Sequence, residues 1–363
     1  MKRHGLWLAL MLIGCGAAHA QWQILNSNTT ADLRGIDNVG RGVAWASGTN
    51  GTVLRTEDGG YLWQRCTVPA GAEKLDFRGI QGFDANTAIV MSSGTGDLSR
   101  LYKTTDGCQT WKLVAKNPDP TGFWDAVQAE DSESVLILGD SVGKKCRMWR
   151  WNTEGLSLDN RWKCERGEGS FAASNSVLQI VKTPQIDPVW KYTLRFASGT
   201  ARRSYFTVVR EERTSTCEPC RGDIDRTGFF FGNSESSGIF SFAFRTDTIG
   251  VLVGGDFKKP DSTIKTAGYS DDGGISWHPV QTPPHGYRSA VAYDEAAKAW
   301  ITVGPNGTDI STDDGRNWKA VHPDAALNEA ADADRGWNAL SLPYVVGPHG
   351  RIGKLESQSD HQK

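Results

Sequence analysis

The stretch STDDGRNW, Ser311 to Trp318, sets two acids, a glycine and a tryptophan within eight residues. Alone it could be a calcium loop, a catalytic carboxylate or a piece of scaffold. Its recurrence decides. TEDGGYLW (Thr56 to Trp63), TTDGCQTW (Thr104 to Trp111) and SDDGGISW (Ser270 to Trp277) share its frame of Ser/Thr, any residue, Asp, any residue, Gly or Cys108, two residues and Trp. Four copies in register are an internal repeat, which points to solenoid or propeller architectures before any local motif. In a turn, the Asp can accept amide protons, the Gly tolerates positive φ, and the Trp buries a large face between sheets. A calcium loop would need alternating oxygen donors closed by a Glu over about twelve residues, and Trp stands where further ligands would come. Asp58, Asp106, Asp272 and Asp313, with Trp63, Trp111, Trp277 and Trp318, are therefore read as scaffold.

Upstream of the boxes lie strands that end in Gly, among them GVAWASG (Gly42 to Gly48), TAIVMSSG (Thr87 to Gly94) and KAWITVG (Lys298 to Gly304). Before those come inner-strand starts: LRGI at Leu33, FRGI at Phe77, FWDAV at Phe123, SFAAS at Ser170, GIFSFAF at Gly238, YRSAV at Tyr287 and WNALSL at Trp337. Seven starts imply seven blades. Arg34 to Arg78 spans 44 residues, Arg78 to Asp125 47, Asp125 to Ser170 45 and Arg288 to Asn338 50, each matching one four-stranded blade. The step from Ser170 to Ser241 is 71 and carries an insertion, placed near residues 205–235 around CEPC. The third blade stretches its turn in WNTEGLSLDNRW, and the fourth has no box. The last blade lacks a closing strand, which WQIL at Trp22 can supply, removing an open sheet edge.

The box resembles that of the BNR-repeat family of sialidases, sortilin-like receptors and photosystem II stability and assembly factors. The resemblance implies an all-β, seven-bladed β-propeller with Asp-box hairpins, and places each box between the third and fourth strands of a blade. The assembly factors fit best, because no catalytic module is appended. They imply a non-catalytic platform that binds polypeptide, needing no cofactor. A sialidase-like glycoside hydrolase is the alternative. It would require a paired acid and nucleophile, and neither a FRIP-type start nor such a pair can be assigned.

Residues 1–20 join a basic start (Lys2, Arg3) to a short apolar run and the sequence AHA, the pattern of a secretory leader. Cleavage after Ala20 makes the mature protein periplasmic or secreted, with residues 21–358 as propeller and 359–363 as a polar tail. LIGC, ending at Cys15, offers lipoprotein anchoring instead. No segment reaches the roughly 20 apolar residues of a transmembrane span. The formal charge of -2, without a concentrated basic face, gives no nucleic-acid footprint. A monomer is expected.

Six cysteines follow the leader, an even number that favours disulfides in an exported chain. They fall as neighbours, Cys66 and Cys108, Cys146 and Cys164, Cys217 and Cys220, but parity leaves the pairing open. Cys146 with Cys164 fits neighbouring strands of one hairpin. CEPC reads as a disulfide within a loop rather than as a redox pair, because the βαβ setting of such pairs is missing.

Inner strands line the channel of a propeller. Arg34, Arg78 and Arg288 occupy corresponding inner-strand starts, with Asp125 at the equivalent place in the third blade and Asp140 and Asp256 ending second strands. Together they could bind a carboxylate, an acidic ligand or a polypeptide at the channel mouth. Equally, each Arg could pair with an acid such as Asp32, Asp76 or Asp125 and hold the rim.

Overall fold

The computed structural model describes residues 22–159, 163–183, 190–214, 217–229, 234–325 and 329–355. The leader, its cleavage site and Trp162 of the third blade lie outside them. The chain forms seven four-stranded antiparallel sheets, the blades of a propeller. We name the strands of each blade a to d, from the axis outward. In six blades the chain runs a to d in order. The seventh takes strands a to c from Ala339–Ser341, Tyr344–Val346 and Ile352–Leu355, and strand d from Trp22–Leu25, paired antiparallel with the third. The first strand of the fold thus closes the ring.

Apolar layers fill the interfaces between neighbouring blades. Leu33, Ala44 and Leu54 of the first blade meet Tyr344 and Val346 of the seventh, and Ile89 and Leu101 of the second meet Val127 and Ile137 of the third. The b strands read as continuous apolar runs, such as Ala88–Ser92 and Ala299–Gly304, because neighbours cover both of their faces.

The four boxes share one hydrogen-bond pattern. In the first, Thr56 Oγ1 donates to Asp58 Oδ1 at 2.8 Å, Asp58 Oδ1 also accepts from the amide of Leu62 at 3.0 Å, and the amide of Gly60 donates to Thr56 Oγ1 at 3.0 Å. The other three repeat it at Asp106, Asp272 and Asp313 with distances of 2.9 to 3.1 Å, apart from a 2.8 Å Ser311 contact. The turn passes through two consecutive left-handed residues: Gly59 and Gly60, Gly107 and Cys108, Gly273 and Gly274, Asp314 and Gly315. Glycine is favoured there because a Cβ is strained at positive φ. The third blade solves the same problem with Asn152, whose Oδ1 accepts the amides of Glu154 and Gly155.

Each box Trp packs against the preceding blade. Trp63 is 1% exposed and meets Tyr344 of the seventh blade edge-on, and Trp277 meets Phe206 of the fourth. Trp111 packs on the first blade with less burial. It is only half-buried, with its indole N–H on the Thr67 carbonyl at 3.0 Å. At this interface Cys108 is bonded to Cys66 of the first blade, so a covalent link stands where the other boxes rely on the indole.

Cys146 is bonded to Cys164. CEPC opens the outer strand Cys217–Phe229 of the fourth blade, not a loop as its polar composition suggested. The Cys217 and Cys220 side chains lie outside the described residues, so that pairing is not placed. The insertion is spent on long strands, Trp190–Thr200, Arg203–Thr214 and Cys217–Phe229, which carry this sheet past its neighbours.

Trp63→Ala is expected to cost about 3 to 5 kcal/mol, the range for deleting a buried aromatic, and Trp111→Ala distinctly less. Urea denaturation of both variants checks the contrast, and equal losses would contradict it.

Candidate functional site at the channel mouth

The inner strands begin on the face where the b strands end, and several begin with a fault in register. Pairing in the first blade jumps between Leu33 and Gly35, in the second between Phe77 and Gly79, in the third between Trp124 and Ala126, and in the fifth between Ile239 and Ser241. The extra residues of these bulges are Arg34, Arg78, Asp125 and Phe240. A bulge re-aims the side chain it carries, so one local device repeated around the ring sets the chemistry of its rim. Sequence alignment put Ser241 at this place in the fifth blade. The bulge puts Phe240 there.

The fourth blade carries the largest irregularity. Gly169 and Gly199 exchange backbone hydrogen bonds, and pairing resumes where the Ala197 amide meets the Val177 carbonyl. Residues 170–177 therefore face only Ala197 and Ser198, and the excess chain projects into the channel. There Ala172 accepts from Arg78 Nη1 at 3.0 Å, Asn175 Oδ1 accepts the Val127 amide at 2.8 Å, and Ser174 Oγ donates to the Ser289 carbonyl at 3.0 Å. Ser176 Oγ reaches Ser241 Oγ at 2.7 Å. These partners belong to the second, third, sixth and fifth blades, so the segment is a hub across the axis. A side chain on Gly79 would collide with it, since a Cβ there would lie 2.9 Å from Asn175 Oδ1.

Above this hub, Arg78 Nε donates to Asp76 Oδ2 at 2.8 Å, while Arg34 Nε lies 3.9 Å from Asp76 Oδ1, beyond hydrogen-bond length. Arg34 and Arg78 are each about a third exposed. Arg34 Nε and Asp76 Oδ1 are buried atoms without a hydrogen bond, and Arg34 makes no hydrogen bond to any other described residue. Asp125 is fully buried beside Asp140. Burial, and then the charge of Asp140, holds the Asp125 carboxyl well above the usual range, and burial also raises Asp140. Both shifts favour the protonated carboxyl. The Ser170 amide, where the projecting segment begins, faces both carboxyls.

The structure does not bring all six expected residues together. Arg288 is 0% exposed, away from the open rim. Its Nε donates to Asp309 Oδ2 at 2.7 Å, its Nη1 to the Tyr287 carbonyl at 2.8 Å and to Asn306 Oδ1 at 2.6 Å, and its Nη2 contacts Asp309 and His285. Its strand is paired only from Ala290, so no bulge turns it toward the axis, and a buried cation needs the compensation Asp309 provides. Asp309 was legible as an acid at a buried place in the strand Gly307–Ser311. Asp256 faces its own loop, accepting from Ser236 Oγ at 2.6 Å and from the Lys258 amide at 3.1 Å. Its hydrogen bond from Ser236 holds its carboxyl below the ordinary range.

Residues 16–144 match the family model described as photosynthesis system II assembly factor YCF48, a span reaching into the third blade. No curated protein sequence matches the chain. Among solved structures, one described as YCF48 bound to D1 peptide aligns with a TM-score of 0.62 at 15% identity, covering 94% of this chain and 97% of that one. YCF48 from Cyanidioschyzon merolae aligns at 0.55 with 17% identity, covering 93% and 99%. The WD40 propeller of Doa1 aligns at 0.56 with 8% identity, covering 94% and 98%. The chain is a seven-bladed β-propeller whose fold is similar to that of the photosystem II assembly factors.

A carboxyl whose folded pKa is raised stabilises the fold below its unfolded pKa and loses that contribution as pH rises through the folded value. Asp125, Asp140 and Asp37, whose carboxyl burial pushes up to about 6, all have this sign. Above about pH 5, where carboxyls with lowered values such as Asp106 and Asp256 are ionised in the folded and unfolded chain alike, the melting temperature should therefore fall as pH rises toward 8, and Asp125→Asn should flatten that fall. Parallel slopes for wild type and variant in calorimetry would contradict the assignment.

Proposed function

We propose that this protein is an exported, non-catalytic monomeric platform that binds a polypeptide at the channel rim through Arg34 and Arg78. The observation that carries the reading is the Arg34 guanidinium. It is partly exposed, lacks a hydrogen bond among the described residues, and stands beside an Arg78 that Asp76 only partly engages. Two guanidiniums with donors to spare suit carboxylates, which they grip in bidentate fashion. The similarity to assembly factors, one of them described with a bound D1 peptide, supports a polypeptide as the ligand.

Burial and mutual contact also favour binding over hydrolysis. Asp125 and Asp140 form a carboxyl pair at the rim, and Asp125 is sealed from solvent. Glycosidases instead hold two accessible carboxyls about 5 Å or more apart, on either side of a sugar. Export rests on the leader, with removal after Ala20 or anchoring through Cys15. Intact-mass analysis of the expressed protein distinguishes a chain beginning at Gln21 from a lipidated one beginning at Cys15.

The binding test uses purified mature protein as bait in periplasmic extract beside an Arg34→Ala/Arg78→Ala variant of equal thermal stability. The wild type is expected to retain polypeptides with acidic segments, and the variant at most a tenth as much. Direct binding of each retained polypeptide to wild type follows by calorimetry. Equal retention by both proteins would overturn the assignment of the rim.

A further inference from the structure

A cleft of about 540 Å³ opens on the same face, over the third to fifth blades. Its walls include Asp140, the segment Gly169 to Phe171, the hairpin around Thr200, Ser204 and Ile239, and they carry three acids, Asp140, Glu165 and Glu235, against two arginines, Arg166 and Arg202. The segment that projects into the channel thus also forms one wall of this cleft, and Asp140, partner of the sealed Asp125, supplies a carboxylate to it.

Two features of the walls are incomplete. Ser204 is 3% exposed, yet its hydroxyl lines the cleft and makes no hydrogen bond among the described residues. It sits where a side chain on Gly238 would crowd it, since a Cβ there would lie 3.3 Å from Ser204 Oγ. The second is charge. Neither Asp140 nor Asp125 forms an ion pair with a described cation, and Arg78, which Asp125 senses, bonds Asp76 and Ala172 rather than either carboxyl. Burial without a cation is costly for a carboxylate. Phe171 adds an apolar surface, fixed by stacking on Phe240 at a centroid distance of 3.8 Å, and Ile239 lies beside it.

We infer that the cleft is a subsite for a lysine side chain of the bound polypeptide, its ammonium between Asp140 and Ser204 and its methylene stem along Phe171 and Ile239. An ammonium offers three donors and no acceptor, matching a carboxylate and a hydroxyl oxygen. Its four-carbon stem prefers apolar cover while the head stays polar. The inference rests on the polypeptide-binding reading and adds a polarity to it. Acidic residues of the ligand lie at Arg34 and Arg78, and a lysine lies beyond Asp125, over the fourth blade.

The probe is acetyl-Gly-Lys-Gly-amide, titrated into the full mature protein and followed by amide NMR shifts, beside a counterpart with norleucine in place of lysine. The lysine peptide is expected to shift the amides of Gly169, Ser170 and Ser204 with saturation in the millimolar range, and the norleucine peptide to bind at least tenfold more weakly. Asp140→Asn, nearly isosteric, and Ser204→Ala should each weaken the lysine peptide severalfold or more, with thermal stability measured alongside. Equal binding of the two peptides, or undiminished binding by Asp140→Asn, would overturn the subsite. So would shifts of these amides by maltotriose with none from the lysine peptide, which would make the cleft a polyol site. Capture through Arg34 and Arg78 is measured separately, so its survival beside a failed titration removes the cleft alone, and its loss removes the polypeptide reading.

Discussion

Everything in this structure depends on closing a ring. Seven sheets that bury both faces against one another leave two raw edges unless the last blade is completed, and the pairing of Trp22–Leu25 with Ile352–Leu355 completes it. Closure also fixes where the indole of Trp22 lies. Its Nε1 donates to Thr308 Oγ1 of the sixth blade at 3.2 Å, and its ring meets Trp337 at 6.0 Å. Loss of that first strand would therefore expose the third strand of the seventh blade and open a neighbouring interface, although it comprises four residues.

Within a closed ring, inner strands crowd toward the axis, and the chain answers with small residues and bulges. Gly35 and Gly79 leave no room for a side chain, since a Cβ at either would lie under 3.0 Å from a neighbouring atom. The residue before each of them is the bulged one, and it carries the guanidinium. Packing of the inner strands and placement of the chemistry are thus two results of one local distortion. The fourth blade takes the distortion furthest. It lends a whole segment to the axis and compensates with longer strands farther out.

The repeat made the architecture readable because it is written in residues whose roles are local. A Ser or Thr, an Asp and a left-handed pair close the same turn wherever they occur, so four copies announce the blade without knowledge of its neighbours. The disulfide Cys146–Cys164 stays within one blade for the same reason, whereas Cys66–Cys108 links the first blade to the second and its pairing was left open by the sequence. What could not be read was long-range. Arg288 aligns with Arg34 and Arg78 by sequence, but its fate was decided by Asp309, two strands away, and by a missing bulge. Trp111 has the letter of the box without the burial, because a cysteine linked to the first blade stands next to it. SFAAS looked like another strand start. Nothing within it says that it leaves the sheet, since its partners Arg78 and Ser289 lie on other blades.

The charge arrangement at the rim is a consequence of the same geometry. Arg34, Arg78 and Asp125 occupy equivalent bulges on consecutive blades, with Asp140 beside Asp125, and neither of these two carboxyls pairs with either arginine, which face Asp76 instead. Arg78 lowers the cost of ionising Asp125 but does not bond to it, and Asp140 raises that cost. The projecting segment keeps them apart. It takes one Arg78 N–H with the Ala172 carbonyl, and the Ser170 amide faces the carboxyl pair. A direct Arg78–Asp125 ion pair would consume both charges and leave a neutral rim. Held apart by backbone, the arginines and Asp140 remain accessible on a single face, which suits recognition of a mixed-charge chain in one orientation.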